Sequence, residues 1–420
     1  MISKRHVLAG LAGAGVFGAA LSDAVWARSR KTALAPSPTS LSLDAKPIDA
    51  SERALRLTKI QGLMQAQGIG GLIVESGSTL DYFTGIQWWQ SERVTAALIP
   101  AVGGIIVVTP AFEEPSVRES LSVPADVRPW NENENPLARL VQALSDVKVS
   151  SGKVAIEPTT RFFIVDGLRK QAPGIEFVSG EALVNACRQI KTPAELALMQ
   201  VANDITIAAL RLVHEKVEVG MTSRDISSLM DKTTVALGGA PEFSLVLLNE
   251  ASAYPHGSHQ KQAVREGSTI LMDCGCSVHG YESDISRSWV FGTPSAKQRK
   301  VWDTVKRGQE IALETAKVGV PVGTIDDAVR SFYEKEGWGP GYHLPGLSHR
   351  TGHGIGMDGH ESPYLVSNDV TPLQAGMCFS DEPGLYIPGA FGIRLEDCWH
   401  MTEMGPKLFT PLAISLDKPV

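Results

Sequence analysis

Apolar positions recur along the chain at two periods, and the switches between them mark out the elements. Helical spacing runs through Ser51–Gln67. Short apolar strands follow at Gly71–Glu75 and Thr95–Ile99, with a β-branched run at Gly104–Thr109 before Pro110 and further strands at Val154–Ile156 and Glu176–Val178. This alternation predicts a small α/β domain over residues 51–180. Farther on, Thr192-Pro193-Ala194-Glu195 opens a helix with a capping Thr, Pro at the first turn and an acid three residues after the cap. Its apolar face continues from Leu196 to Val213. Another helix follows Thr222 and ends near Gly238, and capped amphipathic patterns recur at Ser295–Val318 and Thr324–Lys335. Alternating strands predict hairpins over 268–291 and 376–401. Helices and hairpins in mixed order predict an α+β domain over residues 185–415.

The first 50 residues follow neither period. Lys4, Arg5 and His6 precede an apolar stretch, Val7–Leu21, that falls short of the roughly 20 residues a bilayer span needs. Val25-Trp26-Ala27 then supplies small residues for cleavage, so residues 1–27 read as an export signal. The run Ser3-Lys4-Arg5-His6 resembles a twin-arginine signal with Lys in the first arginine place. The protein is therefore expected to be exported, to the periplasm. Residues 28–50, with Pro36, Pro38 and Pro47, read as a linker.

Composition narrows the classes. With 43% hydrophobic and 20% charged residues the chain is too apolar to be disordered. A net charge of −7 and no basic stripe argue against nucleic acid as a partner. Five cysteines without a C-x-x-C pair provide no disulfide framework.

The chemistry concentrates in the hairpins. If Ser277–Gly280 is the turn of the first, a symmetric ladder sets Asp273 opposite Asp284, with Cβ atoms about 5 Å apart. Like charges so close are unfavourable without a cation, and a divalent metal is the common remedy. In the second hairpin a turn centred on Gly389 sets Glu382 opposite Glu396. Between the two lies Gly352-His353-Gly354, whose imidazole can complete a mostly oxygen-ligand site. Four carboxylates and one imidazole suit two divalent ions about 3.5–4 Å apart and a water activated between them, which predicts hydrolysis. Strand alternation turns Cys274 and Cys276 to the face opposite Asp273, whereas Cys398 shares the parity of Glu396. His214 and His400 read as structural, and His343 as a loop residue. No serine has the G-x-S-x-G context, and H-E-x-x-H is absent.

These segments resemble the pita-bread metallopeptidases: Xaa-Pro aminopeptidase, prolidase and methionine aminopeptidase, with the metal-free creatine amidinohydrolase as a relative. The motifs are the eleven-residue spacing from Asp273 to Asp284, the run GHGIG at Gly352–Gly356, EPGLY at Glu382–Tyr386 and GIRLED at Gly392–Asp397. Asp81-Tyr82-Phe83-Thr84-Gly85 and Ser91-Glu92-Arg93 resemble the creatinase/prolidase N-terminal domain, which favours the proline-directed branch. The resemblance implies an α/β N-terminal domain and an α+β pita-bread catalytic domain. It implies that Asp273 holds one metal, that His353 and Glu382 hold the other, and that Asp284 and Glu396 bridge both. It further implies that His256 assists the scissile amide, His360 stabilises the tetrahedral intermediate and Glu382 shuttles the proton. His349 would line the prolyl pocket, and Arg394 would position a carboxylate or support Glu396. Manganese is the first choice of metal, with cobalt, zinc or iron also suited. The substrate would be a peptide with proline in second position, and the assembly a homodimer. Ser286 stands where many relatives have Thr and keeps the hydroxyl.

Two further readings stay open. The same metal site could serve a small-molecule lyase or non-peptide C–N hydrolase, or the chain could bind metal or peptide without turnover. Trp88-Trp89 reads equally as a lid, a contact into a neighbouring subunit's cleft, or a plain aromatic strand.

Overall fold

The computed structural model describes residues 39–420, so the predicted export signal (1–27) and residues 28–38 of the predicted linker lie outside the described residues. Helix α1 (Ala50–Ala66) begins at Asp49, whose carboxylate accepts from the Glu52 amide, and leads into the first sheet. That sheet is built from β1 (Ile69–Glu75), β2 (Ala96–Pro100), β3 (Ile105–Pro110), β4 (Ala125–Trp130), β5 (Gly152–Ile156) and β6 (Ile175–Ser179). Its order is β4-β3-β2-β1-β5-β6. The β1–β2 and β2–β3 pairs are antiparallel and the outer pairs parallel. Helices α2 (Ser78–Thr84), α3 (Glu114–Ser120), α4 (Pro136–Asp146) and α5 (Phe162–Gln171) connect the strands, and α6 (Glu181–Arg188) follows the last of them. The buried strands β1 to β3 are nearly continuous apolar runs, which made them legible. Strand β4 was missed: Ala-Asp-Val-Arg-Pro-Trp is a half-exposed edge strand that contains a proline.

The second region opens with α7 (Pro193–His214), where the Thr192–Glu195 capping box forms as predicted. Helices α8 (Ser223–Leu237) and α9 (Ala296–Thr315) carry equivalent boxes at Thr222–Asp225 and Ser295–Gln298, and α10 (Gly323–Lys335) completes the helical layer. Helix α9 stops at Thr315, short of the predicted Val318. Strands β7 (Ala240–Leu248), β8 (Thr269–Val278), β9 (Tyr281–Glu282) and β10 (Ile285–Val290) form one antiparallel sheet, with β8 between β7 and β10. The remaining strands are β11 (Gly352–Gly354), β12 (Glu361–Leu365), β13 (Cys378–Asp381), β14 (Gly384–Ile387), β15 (Phe391–Arg394), β16 (Asp397–Thr402) and β17 (Gly405–Leu408). Five of them pair in the order β12-β11-β13-β16-β17, while β14 and β15 form a separate ribbon. An α/β first region followed by an α+β second region is the predicted fold class.

The two regions share a core. Leu72 and Phe83 from the first belong to the same buried cluster as Leu198, Met272 and Ile355 from the second. Buried polar contacts cross the same seam: Arg56 pairs with Glu195 at 3.1 Å, and the Tyr281 hydroxyl donates to Glu195 at 2.7 Å. One expectation needs correction. Over residues 39–49 the predicted linker is docked onto the fold: the Leu41 amide donates to the Leu237 carbonyl and the Ser42 hydroxyl to the Gly238 carbonyl, both at 2.8 Å, and Ile48 is buried. Helix α8 ends at Gly238 with φ of 96°, which leaves carbonyls of its last turn in need of donors, and this segment supplies two.

Candidate metal centre

The two hairpins bring the acids together by different registers. In the first, Asp273 lies opposite Ser286, not Asp284, and Ser277 opposite Glu282. The turn is His279-Gly280, with φ of 49° and 80°, a tight two-residue reversal that needs left-handed backbone at both positions. It lies later than the four-residue turn expected from sequence, so the register differs from the expected one by two residues. A shift of two keeps every side chain on its face. Asp284 therefore stays on the side of Asp273, as a diagonal neighbour just before β10. In the second hairpin Gly384 pairs with Arg394 and Asp381 with Asp397, a ladder centred on Gly389 as predicted. Glu382 and Glu396 occupy matching places in the gap between those two ladders.

Oxygen atoms of Asp273, Asp284 and Glu396 lie within 4.8 Å of one another, as do ligand atoms of His353, Glu382 and Glu396. The His353 Nδ1 proton donates to the Gly354 carbonyl at 3.1 Å, which fixes the tautomer. Nε2 then turns its lone pair toward Glu382 Oε1 at 3.4 Å and Asp284 Oδ2 at 3.6 Å. Burial, reinforced by His360, holds the His353 pKa down to about 3, so the ring is neutral. Burial and then Glu396, Asp273 and Glu382 push the Asp284 carboxyl well above its ordinary range. Glu396 is raised by burial and by Glu382 and Asp273. Glu382 is pushed up to about 8, by burial first and then by Asp273. Asp284 Oδ1 and Glu396 Oε1 are buried without a hydrogen-bond partner. Lone pairs facing lone pairs, with two buried oxygens unpartnered, are costly unless a cation lies among them. The donor set, carboxylates with one imidazole, fits a divalent metal.

All the predicted site residues line one cavity of about 140 Å³: Asp273, Asp284, His353, Glu382 and Glu396 with His256, His349, His360 and Arg394. His256 is exposed at its edge, and the His360 ring stands 4.0 Å from that of His353. His349 donates from Nδ1 to the Arg350 carbonyl and accepts the Tyr386 hydroxyl proton at Nε2, both at 2.7 Å. Arg394 turns its donors to the protein: to Asp273 at 2.5 Å, to Ser286 at 2.9 Å, and to the Pro255 carbonyl and Tyr386 hydroxyl at 3.3 Å. It does not bond Glu396 directly, lying 4.0 Å from it with Ser286 between, and the acid it contacts is Asp273. Ser286 lies within 2.9 Å of Asp273 and 2.8 Å of Glu396, so one hydroxyl tethers both hairpins.

Sequence reasoning missed Arg350 and Tyr386. Arg350 lines the cavity with its guanidinium 4.2 Å from the Tyr364 ring centroid. Tyr386 is fully buried, and a buried tyrosine hydroxyl implies a polar partner, a signal available within EPGLY. The residues read as structural are placed so: His214 packs on Trp289, His400 on Phe409, and His343 is exposed. Trp88 and Trp89 stack on each other at 5.7 Å, with Trp89 exposed. Cys274 and Cys276 are buried away from the acids in the shared core, and the Cys398 thiol donates to the Asp284 carbonyl at 3.1 Å.

A creatinase-like first region, an α+β second region and a carboxylate–imidazole cage together define a metal-dependent peptidase of the pita-bread fold. Residues 197–403 match the model of metallopeptidase family M24, and residues 56–190 match the creatinase/prolidase N-terminal domain. The chain is 30% identical to an Xaa-Pro dipeptidase of Lactobacillus helveticus over 361 residues, covering 85% of this chain and 96% of that one. Among solved structures it resembles a dipeptidase from Pyrococcus horikoshii OT3 (TM-score 0.78, 29% identity, 85% of this chain and 98% of that one). It also resembles a prolidase from Thermococcus sibiricus (TM-score 0.80, 26% identity, 87% and 98%). The chain belongs to metallopeptidase family M24.

Proposed function

We propose that this chain hydrolyses the peptide bond preceding proline, with Xaa-Pro dipeptides among its substrates, and that it does so with two divalent cations, manganese first. The observation that carries the reading is the pair of unpartnered buried oxygens, Asp284 Oδ1 and Glu396 Oε1, inside a cluster of four carboxylates and one neutral imidazole. Asp273, Asp284, His353, Glu382 and Glu396 would hold the ions. When bound, such ions supply Lewis-acid activation of water and of the scissile carbonyl. The other residues supply position and protons. His256 and His360 both line the cavity, where His256 would donate toward the leaving prolyl nitrogen and His360 to the developing oxyanion. Glu382 would accept the proton of the attacking water. His349, held at both ring nitrogens, offers a fixed face to a proline ring. Relatives named Xaa-Pro dipeptidase and prolidase support the substrate class.

The test is to supply the purified chain with Mn²⁺ and compare Ala-Pro with Ala-Ala. Cleavage of Ala-Pro alone is expected, with Asp284→Ala losing at least about a hundredfold in kcat/KM. Failure to cleave Ala-Pro under Mn²⁺, Co²⁺, Zn²⁺ and Fe²⁺ would overturn the reading; turnover of small zwitterions instead would favour the non-peptide alternative. We infer also that the protein is exported and dimeric. Cell fractionation with N-terminal sequencing of the mature chain, and light scattering, check these two points.

A further inference from the structure

The metal cavity is too small to be the whole binding site. At about 140 Å³ it falls below the roughly 300–1,000 Å³ of sites that enclose small molecules. Two neighbouring cavities share a wall with it, and each shared wall is a histidine. His360 also lines a cavity of about 170 Å³ toward the first region, and His256 also lines a groove of about 630 Å³ beneath residues 254–262. The two flanks differ in charge. The cavity beyond His360 is lined by Glu157, Glu181, Asp358 and Glu361; Arg188 pairs with Asp358 and Glu361, and Lys191 behind the wall pairs with Glu361, so the negative excess rests on Glu157 and Glu181. The groove beyond His256 carries Arg224 and Lys261 with His259, over an apolar floor that includes Leu245 and Leu247, and no acidic side chain lines it.

A peptide lying across the centre is a dipole with an ammonium at one end and a carboxylate at the other. The flanking charges favour one direction: amine toward His360, carboxyl end toward His256. We propose that Arg224 and Lys261 make the groove select for acidic residues after the proline, so that Xaa-Pro-Glu is preferred over Xaa-Pro-Lys. Arg224 and Lys261 attract the carboxylates, while Leu245 and Leu247 pack against the peptide. This rests on the proline-directed reading above and adds to it a charge preference at the position after the proline.

The experiment uses the full chain with Mn²⁺ and compares Ala-Pro, Ala-Pro-Glu and Ala-Pro-Lys for the wild type and the exposed double variant Arg224→Glu/Lys261→Glu. The wild type is expected to cleave Ala-Pro-Glu with a higher kcat/KM than Ala-Pro-Lys. The double variant is expected to lose about tenfold on Ala-Pro-Glu, two exposed attractions having become repulsions, while Ala-Pro is unchanged within twofold. Cleavage of Ala-Pro without either tripeptide, or an equal loss on dipeptide and tripeptide, overturns the proposal. A second readout is independent of turnover: calorimetric titration of the leaving peptide Pro-Glu-Glu against Pro-Lys-Lys. Tighter binding of Pro-Glu-Glu, lost in the double variant, supports the groove, and equal affinities overturn it. If the wild type cleaves no Xaa-Pro substrate, the hydrolase reading has failed and the titration still decides the groove.

Discussion

Glu361 and Glu396 are both buried glutamates beside the same cavity system, and they have opposite fates. Burial alone would raise the Glu361 pKa, but Arg188 and Lys191 outweigh it and hold the carboxyl down to about 2. It accepts from Arg188 at 2.5 Å, from Lys191 at 2.9 Å and from the Met357 and Asp358 amides at 2.9 and 3.2 Å. Glu396 has Ser286 on one oxygen, Arg394 no closer than 4.0 Å, and nothing on the other. The chain thus supplies internal cations where a carboxylate ties the first region to the loop carrying His360. Where the acids converge it supplies one, Arg394, which goes to Asp273 and leaves Asp284 and Glu396 each with an unpartnered oxygen. A fold able to satisfy Glu361 so fully leaves Glu396 short of a partner, and the shortage reads as a place for an ion from solution.

The comparison can be broken most forcefully at Glu361. Replacing it with Ala strands Lys191 and leaves Arg188 with Asp358 as its remaining acid, and should cost about 3–5 kcal/mol in denaturant unfolding, because one side of a buried ionic network is removed. A loss below about 1 kcal/mol would mean that the network is not what holds the loop. Next in size is Ser286→Ala, which unties Asp273 from Glu396 and should weaken divalent-metal affinity about 10–100-fold by calorimetry, with unfolding free energy of the metal-free chain little changed. Smallest is the response to pH without metal. Carboxyls raised in the fold (Glu382 to about 8, Asp284 and Glu396 also upward) bind protons more readily folded than unfolded. Stability therefore rises as pH falls from about 8. His349 and His353, held down to about 3 by burial, work the other way: below 6.5 the unfolded chain takes up protons that the fold refuses. The melting temperature of the metal-free chain should thus rise as pH falls from about 8, and less steeply below about 6.5, where two histidines offset two of the three carboxyls. Saturating Mn²⁺ should flatten the alkaline side. Glu396→Gln should do so in part, and should stabilise the metal-free chain at pH 8 by on the order of 1 kcal/mol.

What the sequence disclosed followed from period and parity. Capping boxes at Thr192, Thr222 and Ser295 announce their helices because cap and partner are three residues apart, a purely local signal. The faces of Asp273 and Asp284 were legible because parity survives a register shift of two, even though the opposing residue was not. That residue depends on which of several turn positions adopts left-handed backbone, and His279 is an unobvious choice for one of them. The docking of residues 39–49, the edge strand β4 and the cation Arg350 depend on contacts between distant segments. No local pattern encodes these.

All five cysteines are unpaired and buried. Burial pushes the Cys187 thiol up to about 11 and the Cys378 thiol up to about 12, and the Cys276 and Cys398 thiols donate to the carbonyls of Ala202 and Asp284. Such sulfurs are poor nucleophiles and out of reach of alkylating reagents while the fold is intact. This fold therefore forms without disulfide oxidation. Each cysteine also doubles as an internal clock, since iodoacetamide can label it only as fast as the surrounding structure opens.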